Sequence, residues 1–173
     1  MRIEVDANVA LMKAMDFDSS DLDVNRQGLM SENQRDFLSR KRGYWRLWDV
    51  IILVAVPLLI GLTIVDAIHR HDTIASRIGM IALILILAGF LYAYTHSKWK
   101  RVHSDILEGR ILSVAGTVKL KKHRENYGTR YEVVVEKMKF PVMRRVAEAF
   151  REEEKYCIYY TPHSKIVFSA ELC

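Results

Sequence analysis

The sequence predicts a membrane-spanning α-helical hairpin followed by a small α+β domain of five short strands and one helix. Residues 50–65 and 78–95 are two apolar runs without a charged side chain. About 20 apolar residues are needed to cross a hydrocarbon core of about 30 Å, so each run is close to spanning length. The segment between the runs is short, so the two helices must be antiparallel. Beyond residue 110, short segments rich in β-branched and aromatic side chains alternate with turn residues, which is typical of strands.

These patterns divide the chain into three parts. Residues 1–43 form an N-terminal helical arm with 7 Lys/Arg and 8 Asp/Glu. Residues 44–96 form the transmembrane hairpin, with spans at about 47–67 and 77–96. Residues 97–173 form the β-rich domain, which has 16 Lys/Arg and 10 Asp/Glu. The net charge of +5 therefore originates in the C-terminal part.

The arm is predicted to form two short helices, the second running into the first span. Residues 7–17 are rich in Ala, Leu and Met, and a capping arrangement at residues 20–23 precedes Gly28, which is suited to end a helix. Ser31 and Gln34 form a second capping box. Residues 21–32 also place oxygen donors at the positions of a calcium loop, but Arg26 occupies the position that requires glycine, so we favour the helical interpretation.

The orientation of the hairpin is predicted from the distribution of Lys and Arg. Cytoplasmic flanks of membrane spans carry an excess of these residues, and both outer flanks here are rich in them, whereas the connecting loop has two. We therefore expect a multi-pass protein of the inner or plasma membrane with both termini cytoplasmic. The basic residues concerned are Arg35, Arg40, Lys41, Arg42, Arg46, Lys98, Lys100 and Arg101, against Arg70 and Arg77 in the loop.

Two features of the hairpin invite functional interpretations that we consider weaker than structural ones. Pro57 lies within the first span, where it suits a gating hinge, but proline is common in membrane helices. The loop contains His69 and His71, which supply two metal ligands where a zinc site needs three or four protein donors. We therefore predict no metal site.

The C-terminal part is predicted to contain, in order, three strands, a helix and two strands. The first strand begins at Ile111 and is broken near Gly116, and the helix covers residues 142–153. Lys98 to Glu108 extend the second membrane helix, which ends at Gly109. A barrel of the oligonucleotide-binding type and a plainer curved sheet with one helix are both compatible with this order.

A hairpin in this domain is strongly basic. The solvated face of a strand is the first explanation, contact with anionic lipid headgroups the second, and nucleic acid the last, because nucleic-acid binding would want stacking aromatic residues beside the charges. Tyr127 and Tyr131 are the candidates for such stacking. The candidate lipid-binding or partner-binding residues are Lys119, Lys121, Lys122, Arg124 and Arg130.

Enzymatic motifs are missing from the sequence. It lacks a nucleophile elbow, a P-loop, a dinucleotide-binding turn and a zinc-protease motif, so we predict neither a catalytic site nor a cofactor. His163 is the most plausible lone titratable residue. Cys157 and Cys173 are expected to be reduced in a cytoplasmic domain.

Residues 159–165 and 168–172 resemble the ending of a loose group of bacterial proteins that have two membrane spans and a small β-rich tail. The arm of that group is similar to residues 21–40 here, and the resemblance implies this architecture. The matching arm residues are Asn25, Gly28, Leu29, Ser31, Gln34 and Arg35.

We expect a non-enzymatic, membrane-anchored interaction or adaptor module. Its ligand would be a protein partner, a second copy of the chain or anionic lipid headgroups at the inner leaflet. The alternative is an accessory or oligomeric component of a transport complex.

Overall fold

The computed structural model describes residues 2–70, 74–125 and 128–173. It has two compact units, one made of Met1–Phe37 with Asp105–Cys173 and the other of Leu38–Ser104. The helices are α1 (Arg2–Met15), α2 (Ser19–Arg26), α3 (Glu32–Arg70), α4 (Ile74–Glu108) and α5 (Arg144–Ala147). The strands are β1 (Leu112–Glu125), β2 (Gly128–Val135), β3 (Met138–Val142), β4 (Lys155–Tyr160) and β5 (Val167–Leu172). The loop residues His71 and Asp72 and the hairpin residue Tyr127 lie outside the described residues.

Capping interactions define the helices of the arm. Asp18 caps α2 in a reciprocal box, in which its side chain accepts from the Asp21 N–H at 2.8 Å. The predicted box of Ser31 and Gln34 is confirmed, with reciprocal bonds of 3.2 and 3.3 Å between side chain and backbone. α3 continues from this box through Pro57 to Arg70, so the expected run into the first span is also confirmed. The arm contains one more helix than we predicted, and the residues of the calcium-loop pattern up to Arg26 are helical.

The long helices α3 and α4 have 39 and 35 residues and are long and apolar enough to span a membrane. No residue of the most apolar stretch of α3 is buried, and 6% of that of α4 is buried. The core helix of a soluble protein would instead be largely buried, because exposing apolar surface to water is unfavourable. The exposure of both stretches therefore suggests a membrane protein.

The five strands form one open antiparallel sheet with the order β3-β2-β1-β4-β5. The first half of β1 pairs with β4, from Leu112 to Thr117, and the second half pairs with β2, from Val118 to Glu125. A barrel would require β3 to pair with β5. The prediction of a barrel is therefore not supported. Pro141 removes one donor from the edge strand β3, and α1 packs along β5, so both edges are unsuited to closure.

The predicted order of strands and helix is confirmed, but two boundaries are wrong. β1 runs through Gly116 without a break. The predicted helix at 142–153 is reduced to the single turn of α5, because the chain then tightens into bonds from the Ala149 and Phe150 N–H groups to carbonyls three residues back. Phe150 is buried, with its ring centroid 5.0 Å from that of Tyr156.

One face of the sheet carries the core. Side chains alternate between the two faces of a strand, so the pairing register assigns each residue to a face. The face that contains Val118 is the core face, and its central side chains have no solvent exposure. These are Val118, Val133, Val135, Phe140, Tyr156 and Ile158.

Candidate functional site

The sheet divides the five predicted basic residues between its two faces. Lys121 lies opposite Glu132, and Arg130 lies opposite His123. The Glu132 carboxylate lies 3.4 Å from the His123 Nε2 atom and forms an ion pair of 3.6 Å with Arg130, as expected for side chains on one face. By strand alternation Lys119 belongs to the same face, which points away from the core. Three of the five predicted residues are therefore together.

Lys122 and Arg124 belong to the other face of the ribbon, on the side of Val118. The ammonium group of Lys122 lies 5.9 Å from the centroid of the Tyr131 ring, which is opposite it on β2. Both basic residues are exposed because the ribbon of β1 and β2 continues beyond the core. The hairpin is thus basic on both sides and does not present one patch.

Two further lysines, which sequence reasoning missed, join the outer face. Lys139 on β3 lies opposite Val134, and Lys155 on β4 lies opposite Thr117. Both are exposed. We name this surface the basic face and define it by Lys119, Lys121, Arg130, Lys139 and Lys155. Strand alternation in the sequence could have indicated the face of each lysine within its own strand. To place the lysines on one common face, however, the pairing register between strands that are distant in the sequence must be known.

The acidic residues of the basic face are fewer than its cations. Glu132 has 14% of its side chain exposed and is engaged by His123 and Arg130. Glu136 is exposed in the turn between β2 and β3, where its φ is 52°. Cationic side chains are therefore in excess on this face, which favours an anionic ligand.

The basic face contains an open depression of about 550 Å³. Gly116 contributes its backbone to the lining, because by strand alternation its side-chain position belongs to the core face. A Cβ there would lie 3.0 Å from the Val135 Cγ1 atom, so a side chain would crowd β2. Two cations, Lys119 and Lys155, line the depression together with small and apolar residues, and this arrangement suits a compact anionic group. The lining residues are Ala115, Gly116, Thr117, Lys119, Val134, Glu136, Lys155 and Cys173.

A disulfide between Cys157 and Cys173 lies beside this depression, so the expectation of two reduced cysteines is wrong in this structure. Their Cα atoms are 5.7 Å apart, because Cys157 is opposite Glu171 and Cys173 follows two residues later on the same face. The Cys173 N–H donates to the Lys155 carbonyl at 3.1 Å. The sequence could not show this pair, since the contact depends on the register of β4 and β5.

A polar network fixes α2 to β5 on the same side of the sheet. The Asn25 amide donates to the Ser169 hydroxyl at 2.7 Å, and both residues are buried. The Arg26 guanidinium binds the Glu171 carboxylate, which also accepts from the Tyr159 hydroxyl at 2.8 Å. The guanidinium lowers the pKa of Glu171, and burial together with the bond to Glu171 raises the pKa of Tyr159 to about 12. This arrangement is an anchor for the arm.

His163, the lone titratable candidate from the sequence, contacts the end of α4. Its Nε2 atom is 2.6 Å from the Glu108 Oε1 atom, and this hydrogen bond raises the pKa of His163. Asp105 is fully buried, and its two carboxylate oxygens accept from the His163 and Ser164 N–H groups at 2.9 Å each. His163 therefore belongs to a turn that the end of α4 holds in place.

Throughout the described ranges, no group of three or more His, Cys, Asp or Glu side chains is able to hold a metal ion. Comparisons of the chain with family models, curated proteins and solved structures found no match. Function must therefore be inferred from the chemistry of the basic face.

Proposed function

We propose that this chain is a membrane-anchored interaction module, without enzymatic activity, whose basic face binds anionic lipid headgroups at the inner leaflet. The observation that carries the proposal is the convergence of cations from four strands, β1 to β4, on one exposed face of the sheet. Two of these cations, Lys119 and Lys155, also line the depression.

The location supports this choice of ligand. In the proposed topology α3 and α4 cross the cell membrane, and the Lys/Arg excess outside the two spans keeps both termini cytoplasmic. An anionic leaflet then lies near the sheet. Each basic residue close to such a leaflet contributes about 1 kcal/mol of attraction.

Matched double variants test the proposal. Full-length protein in nanodiscs of phosphatidylcholine is immobilised, and the capture of phosphatidylglycerol-containing vesicles is measured. Replacement of Lys119 and Lys121 by Gln should remove about 2 kcal/mol, a roughly 30-fold loss of affinity. The control, Lys122→Gln with Arg124→Gln, removes the same charge from the other face and should retain most of the capture.

Three results separate the alternatives. If the two double variants lose vesicle capture equally, the total charge of the hairpin and not the basic face determines binding, which contradicts the proposal. Absence of capture at low salt would refute lipid binding and leave a protein partner as the ligand. Cleavage of a tag behind Cys173 by protease added to intact cells would refute the cytoplasmic orientation.

A polar cluster in the second unit favours a different candidate function, that of an accessory or oligomeric transport component. Neither predicted span has an ionisable residue in its interior, but Asp49, at the start of the first span, accepts a hydrogen bond from the buried Thr95 hydroxyl, and its Oδ2 atom is 4.0 Å from the His96 Nδ1 atom. Ionisable residues inside membrane segments often mark ion paths. Solute flux in proteoliposomes that Asp49→Asn abolishes would support this candidate, and a monomer without flux would refute it.

A further inference from the structure

We infer that Cys157 and Cys173 form a reversible redox site that regulates anion binding at the basic face. The inference rests on the proposed function, both for the ligand and for the cytoplasmic location.

The backbone geometry allows the pair to form and break without rearrangement. The Cα separation of 5.7 Å lies within the range that a disulfide can bridge, so the dithiol and the disulfide fit one backbone. The Leu172 N–H donates to the Asn8 side chain at 3.0 Å, and Glu171 is bound by Arg26. These bonds hold β5 in place up to Leu172, so reduction leaves the pairing of β5 with β4 intact.

The location makes reversibility the expected behaviour. Cytosolic reductants keep most thiols reduced, and the disulfides that do form there are usually transient or redox-sensing. Cys173 is exposed and Cys157 is half-buried. Lys155 and Lys119 share the lining of the depression with Cys173, and positive charge beside a thiol favours the reactive thiolate.

The reaction is two successive thiol–disulfide exchanges with a low-molecular-weight disulfide such as glutathione disulfide. The Cys173 thiolate attacks one sulfur of the oxidant, forms a mixed disulfide and releases one glutathione thiolate, which takes up a proton. The Cys157 thiolate then attacks the Cys173 sulfur and releases the second glutathione. In sum, two protein thiols become one disulfide, and one glutathione disulfide becomes two glutathione molecules.

The oxidised form should be the binding form. The disulfide holds Cys173 in the lining and keeps its N–H on the Lys155 carbonyl at 3.1 Å. Reduction removes the covalent link, so that Cys173 is held beside Lys155 by this backbone bond without the disulfide, and the order of the rim around Lys155 decreases. We expect a loss of about fivefold in capture of anionic vesicles, equal to the loss of one basic residue at the leaflet.

The test uses full-length protein in nanodiscs of phosphatidylcholine that are equilibrated at graded ratios of glutathione to glutathione disulfide. Free thiols are counted with a maleimide-linked polymer by gel shift, and capture of phosphatidylglycerol-containing vesicles is measured on the same samples. The control, Cys157→Ser with Cys173→Ser, should show the capture of the reduced protein at every ratio. Reoxidised wild type should recover full capture, which shows that the reduced unit remained folded.

The outcomes for the redox site and for the proposed function differ. Two thiols that appear and disappear together, with capture following the disulfide, support the inference. A pair that stays oxidised at every ratio overturns the inference. Equal capture by the oxidised and reduced proteins also overturns the inference, provided that Lys119→Gln with Lys121→Gln still weakens capture. If the two thiols become free at different glutathione ratios, they do not form one redox site, which overturns the inference. Absence of capture in both redox states refutes the proposed function instead.

Discussion

Replacement of Asp105 by Ala should release the turn between β4 and β5. The Asp105 carboxylate is fully buried and accepts the His163 and Ser164 N–H groups, each at 2.9 Å. Alanine removes both acceptors and leaves two backbone donors in a partly buried place. Apart from these contacts and the exposed bond between His163 and Glu108, the hydrogen bonds described for the turn are local ones around Thr161.

The magnitude follows from the type of bond. Hydrogen bonds to a charged group contribute about 1.5–3 kcal/mol each. Because water reaches the exposed His163, we take the lower value for both bonds, which gives about 3 kcal/mol. If the local opening becomes easier by this amount, amide exchange of the turn should accelerate by about 150-fold.

Hydrogen exchange measured by mass spectrometry on the peptide that contains residues 161–166 provides the assay. Glu108→Gln is the control, since Glu108 and His163 are each 42% exposed and such surface pairs contribute about 0–1 kcal/mol. Unchanged protection of the turn in Asp105→Ala, or an equal loss in Glu108→Gln, would refute the view that the buried carboxylate holds the turn.

Three pH-dependent effects are also expected. Arg26→Gln should raise the pKa of Glu171 toward its ordinary value, because the guanidinium that lowers this pKa is gone, and carboxyl NMR measures the shift. In wild type, Glu171 contributes stability above its unfolded pKa, and this contribution is lost as the pH falls through the folded pKa. Tyr159 has a pKa of about 12, so it contributes stability below pH 10.0, its ordinary pKa, and this contribution is lost as the pH rises toward 12. The difference between the ultraviolet titrations of wild type and Tyr159→Phe should show ionisation of this tyrosine near pH 12. Glu108→Gln should lower the pKa of His163 toward 6.5, which imidazole NMR measures. In wild type, His163 contributes stability below its ordinary pKa, and this contribution is lost as the pH rises through the raised pKa of the folded state. A Glu171 carboxyl or His163 imidazole that titrates alike in wild type and variant would contradict the corresponding contact, and a difference titration without a step near 12 would contradict the environment of Tyr159.

Local signals in the sequence predicted the two long helices and the order of the strands. The Ser31 and Gln34 box, the extension of α4 to Gly109 and the two apolar runs each depend on residues within a few turns of one another. The length of the helix after Val142 was overestimated, because its spacing is helical while Phe150 instead turns inward against Tyr156.

The faces of the sheet were beyond local signals. Lys121 and Lys122 are neighbours in the sequence but lie on opposite faces, whereas Lys121 and Lys155 share a face across strands. A shift of the register by one residue exchanges the faces of a strand. The basic face and the cysteine pair therefore require the pairing of β1 with β2 and β4, and of β4 with β5, which no short segment encodes.

The packing of α1 and α2 against β5 has a consequence for biosynthesis. The Asn25 side chain binds Ser169, which follows it by 144 positions. At a translation rate of about 5–20 residues per second, roughly 7–30 s separate the appearance of the two residues at the ribosome. Both long apolar helices are synthesised within that interval. The nascent arm must therefore wait without its partner strand, available to chaperones or to the translating machinery, until the final segment emerges and the discontinuous unit can close.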